Sequence, residues 1–321
     1  MQPQESILAR LASFGAPTGA GLPEPRRPLA EVQIEADDRF VLAARIGGLD
    51  RAASDATTRA VNALLSRSAL PRSVRIELQG APAGSAAEED LLAGAALGCR
   101  AHALAVTEAS SAPSAAAAPR LVLTAVGERA RAEDDSPQIG DAAIGLIAEG
   151  PQGAGLELIS DLLLDRLRWS LEQREPSGGT LRSWLSTREK SYFGVTREPM
   201  LEGRVRGLAA VGAEGGGLLG ALRRVLPSKR ALALSLGSWP TPRMYGILAS
   251  AARLETRHLL EAFAVGLGAV WICDPSDVAA FQQWLGLWHE PAWVIGQVVE
   301  LAEGAEPVQW DPAAGLRITD T

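Results

Sequence analysis

Lysine occurs only at Lys190 and Lys229 in this 321-residue chain, so a lysine-held phosphate or a Schiff base has two candidates. Cys99 and His102 have the C-x-x-H spacing of half a zinc site. Such a site closes on four ligands, and no second pair follows at a usable distance; His258 and His289 stand apart. Cys99 and Cys273 form no disulfide framework and fit a reducing compartment. Glu31, Glu35, Asp37 and Asp38 are grouped closely enough to bind a cation, but they read better as a charged surface run. Asp161 and Asp165, with Arg166 and Arg168, read as the solvated face of a helix. Trp271, Trp284, Trp288 and Trp293 are explained by packing before any stacking platform. No Ser/His/Asp or Cys/His triad is signalled locally, so no catalytic residue and no metal ligand is nominated.

Glycine offers a further possibility, a backbone cradle for phosphate. The stretch GAPTGAGLPEPRRP at 15–28 lacks the Gly-Lys-Ser/Thr ending of a P-loop and runs into proline rather than a helix. It reads as a linker. The net charge of −7 and pI near 5.2 argue against broad binding to a nucleic-acid backbone. Hydrophobic residues at 47% and charged residues at 21% are ordinary for a soluble globular protein. The excess of arginine over lysine reads as the codon usage of a GC-rich genome. The N-terminus has no basic region followed by an apolar core, and no apolar run approaches the roughly 20 residues that span a bilayer. The expectation is a cytoplasmic protein with neither nucleic acid nor membrane as partner.

Length favours two domains. In the first half, 40–44 and the alternating SVRIEL at 73–78 read as strands, as do 102–106 and 120–126. Residues 54–68 place Ala60, Val61, Leu64 and Leu65 on one helical face with Ser54 as N-cap, and 86–100 is a second helix. SSAPSAAAAP at 110–119 is a low-complexity loop, and the acidic RAEDDSPQ at 131–138 is the expected domain boundary. Beyond it the pattern predicts a strand in GDAAIGLIAEG, helices over 155–173, 198–210 and 215–225, and a strand at 231–236. Two helices over 242–262, a strand at 267–273, a helix at 276–285 and a strand at 293–299 complete the chain. The class is α/β (α+β): an extension and linker at 1–38, a domain at 39–134 and a second at 139–321.

Five segments of the second half, in order, carry a family resemblance. They are GDAAIGL (140–146), GGGLLGALRRVLP (215–227), GSWPTPRMYGIL (237–248), FAVGLGAVWICDPSDV (263–278) and EPAWVIGQVVE (290–300). Each is similar to a segment of aminoimidazole ribonucleotide synthase, the PurM-like cyclo-ligase of purine biosynthesis. The resemblance covers 140–300 well and 40–130 faintly. It implies two α/β domains, the N-terminal one ferredoxin-like, and a homodimer whose N-terminal strands share a barrel. It also implies ATP- and magnesium-dependent closure of an imidazole ring.

Phosphoryl transfer needs magnesium on hard oxygen ligands and donors around the triphosphate. The family's Thr-Asp-Gly-Val-Gly-Thr-Lys loop falls on AARIGGL at 43–49, with Arg45 in the aspartate position. Its Asn-Asp-Leu-Leu becomes Asn62, Ala63, Leu64 and Leu65. Its Gly-Gly-Glu-Thr-Ala keeps Glu108 and loses the glycines. Its Ser-Gly-x-His-Ser-Asn-Gly lands on 149–155, keeping Gly150 and Gly155 while Gln152 stands for the histidine. The turn Gly215, Gly216 and Gly217 persists, and Ala264 replaces an asparagine. The remnant cofactor-binding set is therefore Asn62, Glu108, Gly150, Gly155 and Gly215 to Gly217, with Arg45 as an anion contact. Because losses fall on ligand-facing polar groups, the expected protein is a non-catalytic binding or assembly paralogue without cofactor, pairing with itself or with a family enzyme. Two alternatives stand beside it. One is the working cyclo-ligase with ATP and magnesium; the other is altered chemistry in a remodelled cleft.

Overall fold

The computed structural model describes residues 6–19, 22–35, 37–114, 118–130 and 136–319, and of Asp37 and Asp38 only the backbone. The expected boundary stretch lies mostly outside the described residues, as does the middle of the low-complexity loop. The chain divides into two units, 1–130 and 131–321.

In the first unit, helix α1 (Ile7–Ser13) is capped by Ser6 and followed by strand β1 (Leu29–Glu35) and helices α2 (Asp37–Ile46) and α3 (Leu49–Ser66). Strand β2 (Ala69–Gln79), helix α4 (Ala86–Ala101), and strands β3 (Ala105–Ala112) and β4 (Arg120–Arg129) follow. The four strands lie in the order β1-β4-β2-β3, with β2 and β3 parallel and the other pairs antiparallel. Alternation turns Val32, Ile34, Ile76, Leu78, Leu121 and Leu123 inward. Helix α3 packs on this inner face, against β1, β2 and β4. It is buried at every residue from Ala52 to Leu65. Helix α4 reaches it through glycines: a Cβ on Gly94 would sit 1.9 Å from the carbonyl oxygen of Asp50, and one on Gly98 1.7 Å from Thr57 Oγ1.

Three expectations are corrected here. The strand expected at 40–44 is the middle of α2, where Phe40 and Ala43 are buried at helical spacing. The strand that does open the sheet is β1, inside the segment expected to be an extension, and the backbone at 18–19 also pairs with Val106. Helix α3 starts five residues before Ser54, which is buried mid-helix rather than capping it.

The second unit is built on six strands. Strand β5 (Ala142–Ile147) leads into helix α5 (Leu156–Ser160), a π-helical turn (Asp161–Arg166), and helices α6 (Leu181–Leu185) and α7 (Phe193–Leu201). Then come β6 (Val205–Ala210), α8 (Leu218–Val225), β7 (Arg230–Leu234), the short β8 (Pro240–Pro242), α9 (Arg243–Ala252) and α10 (Thr256–Ala262). Strand β9 (Leu267–Cys273), helix α11 (Val278–Leu287), and strands β10 (Ala292–Glu300), β11 (Val308–Gln309) and β12 (Arg317–Thr319) complete it. The main sheet runs β11-β7-β10-β5-β9-β6, and β12 pairs with β8 apart from it. The helix expected over 155–173 stops at the π-helical turn, whose exposed Asp161 and Arg166 pair at 2.8 Å. The one expected over 198–210 is the end of α7 followed by β6, because the apolar run after Arg204 is extended and paired with β9.

Candidate functional site

The remnant residues of the first unit do not converge. Arg45 lies exposed in the last turn of α2. Asn62 is 2% exposed within α3, and its neighbour Ala63 is fully enclosed. Glu108 stands on β3 opposite Arg75, on the sheet face turned away from α3. That outer face also carries Gln33 and Glu31, the latter paired with Arg75 at 3.2 Å. The polar groups that do meet are ones no local sequence pattern combines. Arg39 and Asp55 form a buried ion pair at 2.7 Å, and Thr58 Oγ1 lies 3.1 Å from His102 Nε2. Burial lowers the pKa of His102 and pushes the Cys99 thiol up to about 12, so both are neutral interior groups. The C-x-x-H pair is thus the end of α4 and its C-cap.

In the second unit the glycines serve close packing more than ligand approach. A Cβ on Gly155 would meet the Ala262 carbonyl and the Phe263 ring at 2.7 Å, and one on Gly217 would meet the Phe263 backbone at 2.5 Å. A Cβ on Gly150 would meet Thr187 Cβ at 2.8 Å. Gly215 and Gly216 form the exposed part of the turn, both with positive φ, before α8 begins. Gln152 is turned into the protein. Its Nε2 donates to the carbonyls of Glu149 (3.2 Å) and Arg188 (3.5 Å), while its Oε1 accepts from Lys190 N (3.0 Å). It thereby ties 149–155 to the segment before α7.

Lys190 completes that tie. Its ammonium lies 2.8 Å from Glu290 and 3.7 Å from Glu149. Below it, Tyr192 donates to the Ile147 carbonyl at 2.8 Å. Burial first, then the nearby Glu189, Glu290 and Glu149 carboxylates, push its phenol well above the ordinary range. Tyr192 is therefore a neutral strut that closes the end of β5.

Beside this latch, entirely within the second unit, lies a concavity of about 220 Å³. Its walls are Ile147, Trp184, Pro240, Pro242 and Met244. Its polar groups are Glu149, Arg243 and the turn at 175–177. Glu175 is committed to that turn, accepting from Ser177 N (2.8 Å), Gly179 N (3.0 Å) and the Ser177 hydroxyl. Of the residues nominated from sequence only Gly150 lines the cavity; Trp184, Met244 and Arg243 were not singled out. The four tryptophans that were do not line it. Trp271 meets Phe281 edge-on, Trp284 lies tilted against Trp288, and Trp284 donates to the Val195 carbonyl.

Two α/β units of this topology are shared with several solved proteins. The chain superimposes on hydrogenase maturation protein HypE with a TM-score of 0.62 at 17% identity, over 97% of this chain and 92% of that one. It superimposes on thiamine-monophosphate kinase from Stenotrophomonas maltophilia with a TM-score of 0.60 at 16% identity, covering 96% and 95%. At such identities the likeness defines the class of fold, PurM-like. Residues 138–308 match the family model for AIR synthase related protein, C-terminal domain, so the chain belongs to that family. It is 30% identical over 164 residues to the phosphoribosylformylglycinamidine cyclo-ligase of Geobacillus thermodenitrificans, 51% of this chain and 47% of that one. The chain thus spans about half the length of the curated relatives it matches.

Proposed function

We propose that this chain is a non-catalytic, ligand- or partner-binding member of the family that does not hold a magnesium-charged triphosphate. The observation that carries the reading is the inward commitment of Gln152. Where the resemblance implies a ligand-facing histidine, this side chain is 1% exposed and spends its amide on the loop itself. The residues of the first unit agree with it. Magnesium needs converging carboxylate oxygens. Here Ala63 is enclosed, Glu108 is on the outer sheet face and a guanidinium, Arg45, occupies the third position. These groups do not fit the metal or the triphosphate.

A second copy of the chain, or a family enzyme, is the proposed macromolecular partner. The outer face of β1, β4 and β2, with Glu31, Gln33 and Arg75 exposed on it, is the surface offered; among the described residues the helix packed on this sheet, α3, lies on the other face.

Isothermal titration of the full chain with ATP and magnesium tests the reading: no saturable heat is expected at micromolar to millimolar nucleotide. Micromolar binding, or rescue of a strain lacking the cyclo-ligase, would overturn it in favour of the enzymatic alternative.

A further inference from the structure

We infer that the concavity beside Gly150 is a binding site for a small zwitterion with an apolar body, an apolar α-amino acid. This deepens the reading of the chain as a binding protein and rests on it. The walls decide the body of the ligand. Trp184, Met244, Ile147, Pro240 and Pro242 offer hydrocarbon and ring surface, so an apolar group placed there is favourably taken out of water. Trp184 is held edge-on against Tyr245 at 6.2 Å, so that wall is rigid before any ligand arrives. A volume of about 220 Å³ lies below the roughly 300–1,000 Å³ of pockets for drug-sized ligands, which suits a ligand of few heavy atoms.

The rim decides the charges. Glu149 is 71% exposed, and the Lys190 ammonium 3.7 Å from it is held more closely by Glu290. That leaves acceptor capacity for a ligand ammonium. Arg243 opens α9 and lines the same cavity. A guanidinium has five donors and suits a carboxylate, so it is able to take a ligand carboxylate alongside its protein contacts. Glu175 is excluded from the role because its oxygens already accept from Ser177 and Gly179. One anion and one cation at the mouth of an apolar recess specify an amphoteric ligand and disfavour a simple anion or a simple amine.

The test is calorimetric titration of the full chain with L-phenylalanine, beside 3-phenylpropionate, phenethylamine and glycine, which lack the amine, the carboxylate and the apolar body respectively. L-phenylalanine is expected to bind saturably, and each of the other three at least about tenfold more weakly. Glu149→Gln should weaken L-phenylalanine about tenfold and leave phenylpropionate unchanged; Arg243→Gln should weaken it and leave phenethylamine unchanged. Circular dichroism of both variants separates loss of binding from loss of fold. Absence of saturable L-phenylalanine binding by the folded wild type, or equal affinity for phenylpropionate, overturns the inference. ATP binding with L-phenylalanine binding intact would overturn only the reading above.

Discussion

The guanidinium of Arg39 and the carboxylate of Asp55 face each other at 2.7 Å inside the helical layer of the first unit, 5% and 3% exposed. Joining α2 to α3, the pair fixes how the shorter helix sits on the longer. Removing one partner of a buried ion pair costs about 3–5 kcal/mol. Asp55→Ala is expected to lower unfolding stability by that amount in urea titration. Arg39→Met with Asp55→Leu should recover much of it, because neither ion is then left behind.

Gly94→Ala is expected to force α4 off α3. The new methyl would lie 1.9 Å from the backbone oxygen of Asp50, which cannot rotate aside as a side chain would. Overpacking of this kind costs about 1–3 kcal/mol even where neighbours yield, and here the neighbour is main chain. Thermal denaturation should show a clear drop in midpoint, while Gly220→Ala, whose nearest neighbour is the flexible end of Arg224 at 3.5 Å, should shift it little.

Protonation of His102 should destabilise the first unit. Burial lowers its folded pKa below the ordinary 6.5 of imidazole. The unfolded chain therefore takes up the proton first, and stability falls as pH drops from about 6.5 towards the folded pKa. Above that window the residue is neutral in both states and contributes no slope. His102→Gln, which keeps a hydrogen-bonding group near Thr58, should flatten the stability profile between about pH 5 and 7 relative to wild type. An unchanged slope in denaturant titrations across that range would count against this assignment.

Ala63→Asp places a carboxylate where the resemblance puts one. Because Ala63 is fully enclosed in α3, the prediction is loss of stability rather than gain of magnesium. Desolvating an unpaired carboxylate should cost several kcal/mol or raise its pKa until it is protonated. Differential scanning calorimetry with and without magnesium checks both parts: a lower midpoint, unrescued by the cation.

The sequence carried the second unit further than the first. Strand β9 matches its expected bounds because all seven residues are buried between Gly266 and the Asp274-Pro275 turn, so period, length and punctuation agree. α2 was misread because Phe40 to Ala44 is too short an apolar run to distinguish a strand from a helix without its flanks. β1 was missed although LAEVQIE alternates cleanly, because the glycine- and proline-rich stretch before it suggested a linker. The family remnants were legible as residue types, but their separation was not. That Asn62 points into a core and Glu108 out from the opposite sheet face depends on register, which no local pattern states. Similarly, Arg39, Asp55, Thr58 and His102 have the composition of a solvated surface. Only the enclosure of α3 makes them interior.

That enclosure restricts how α3 is able to diverge. From Ala52 to Leu65 it has no outward stripe, and its residues, small ones such as Ala53, Ala56 and Thr57 beside larger ones such as Arg59, Leu64 and Leu65, share space with the sheet and α4. A residue there cannot enlarge unless another, on a different element, shrinks. Drift along this helix should therefore proceed by paired exchanges, recorded as covariation with Gly94, Gly98 and the inner positions of β4 rather than as independent substitutions.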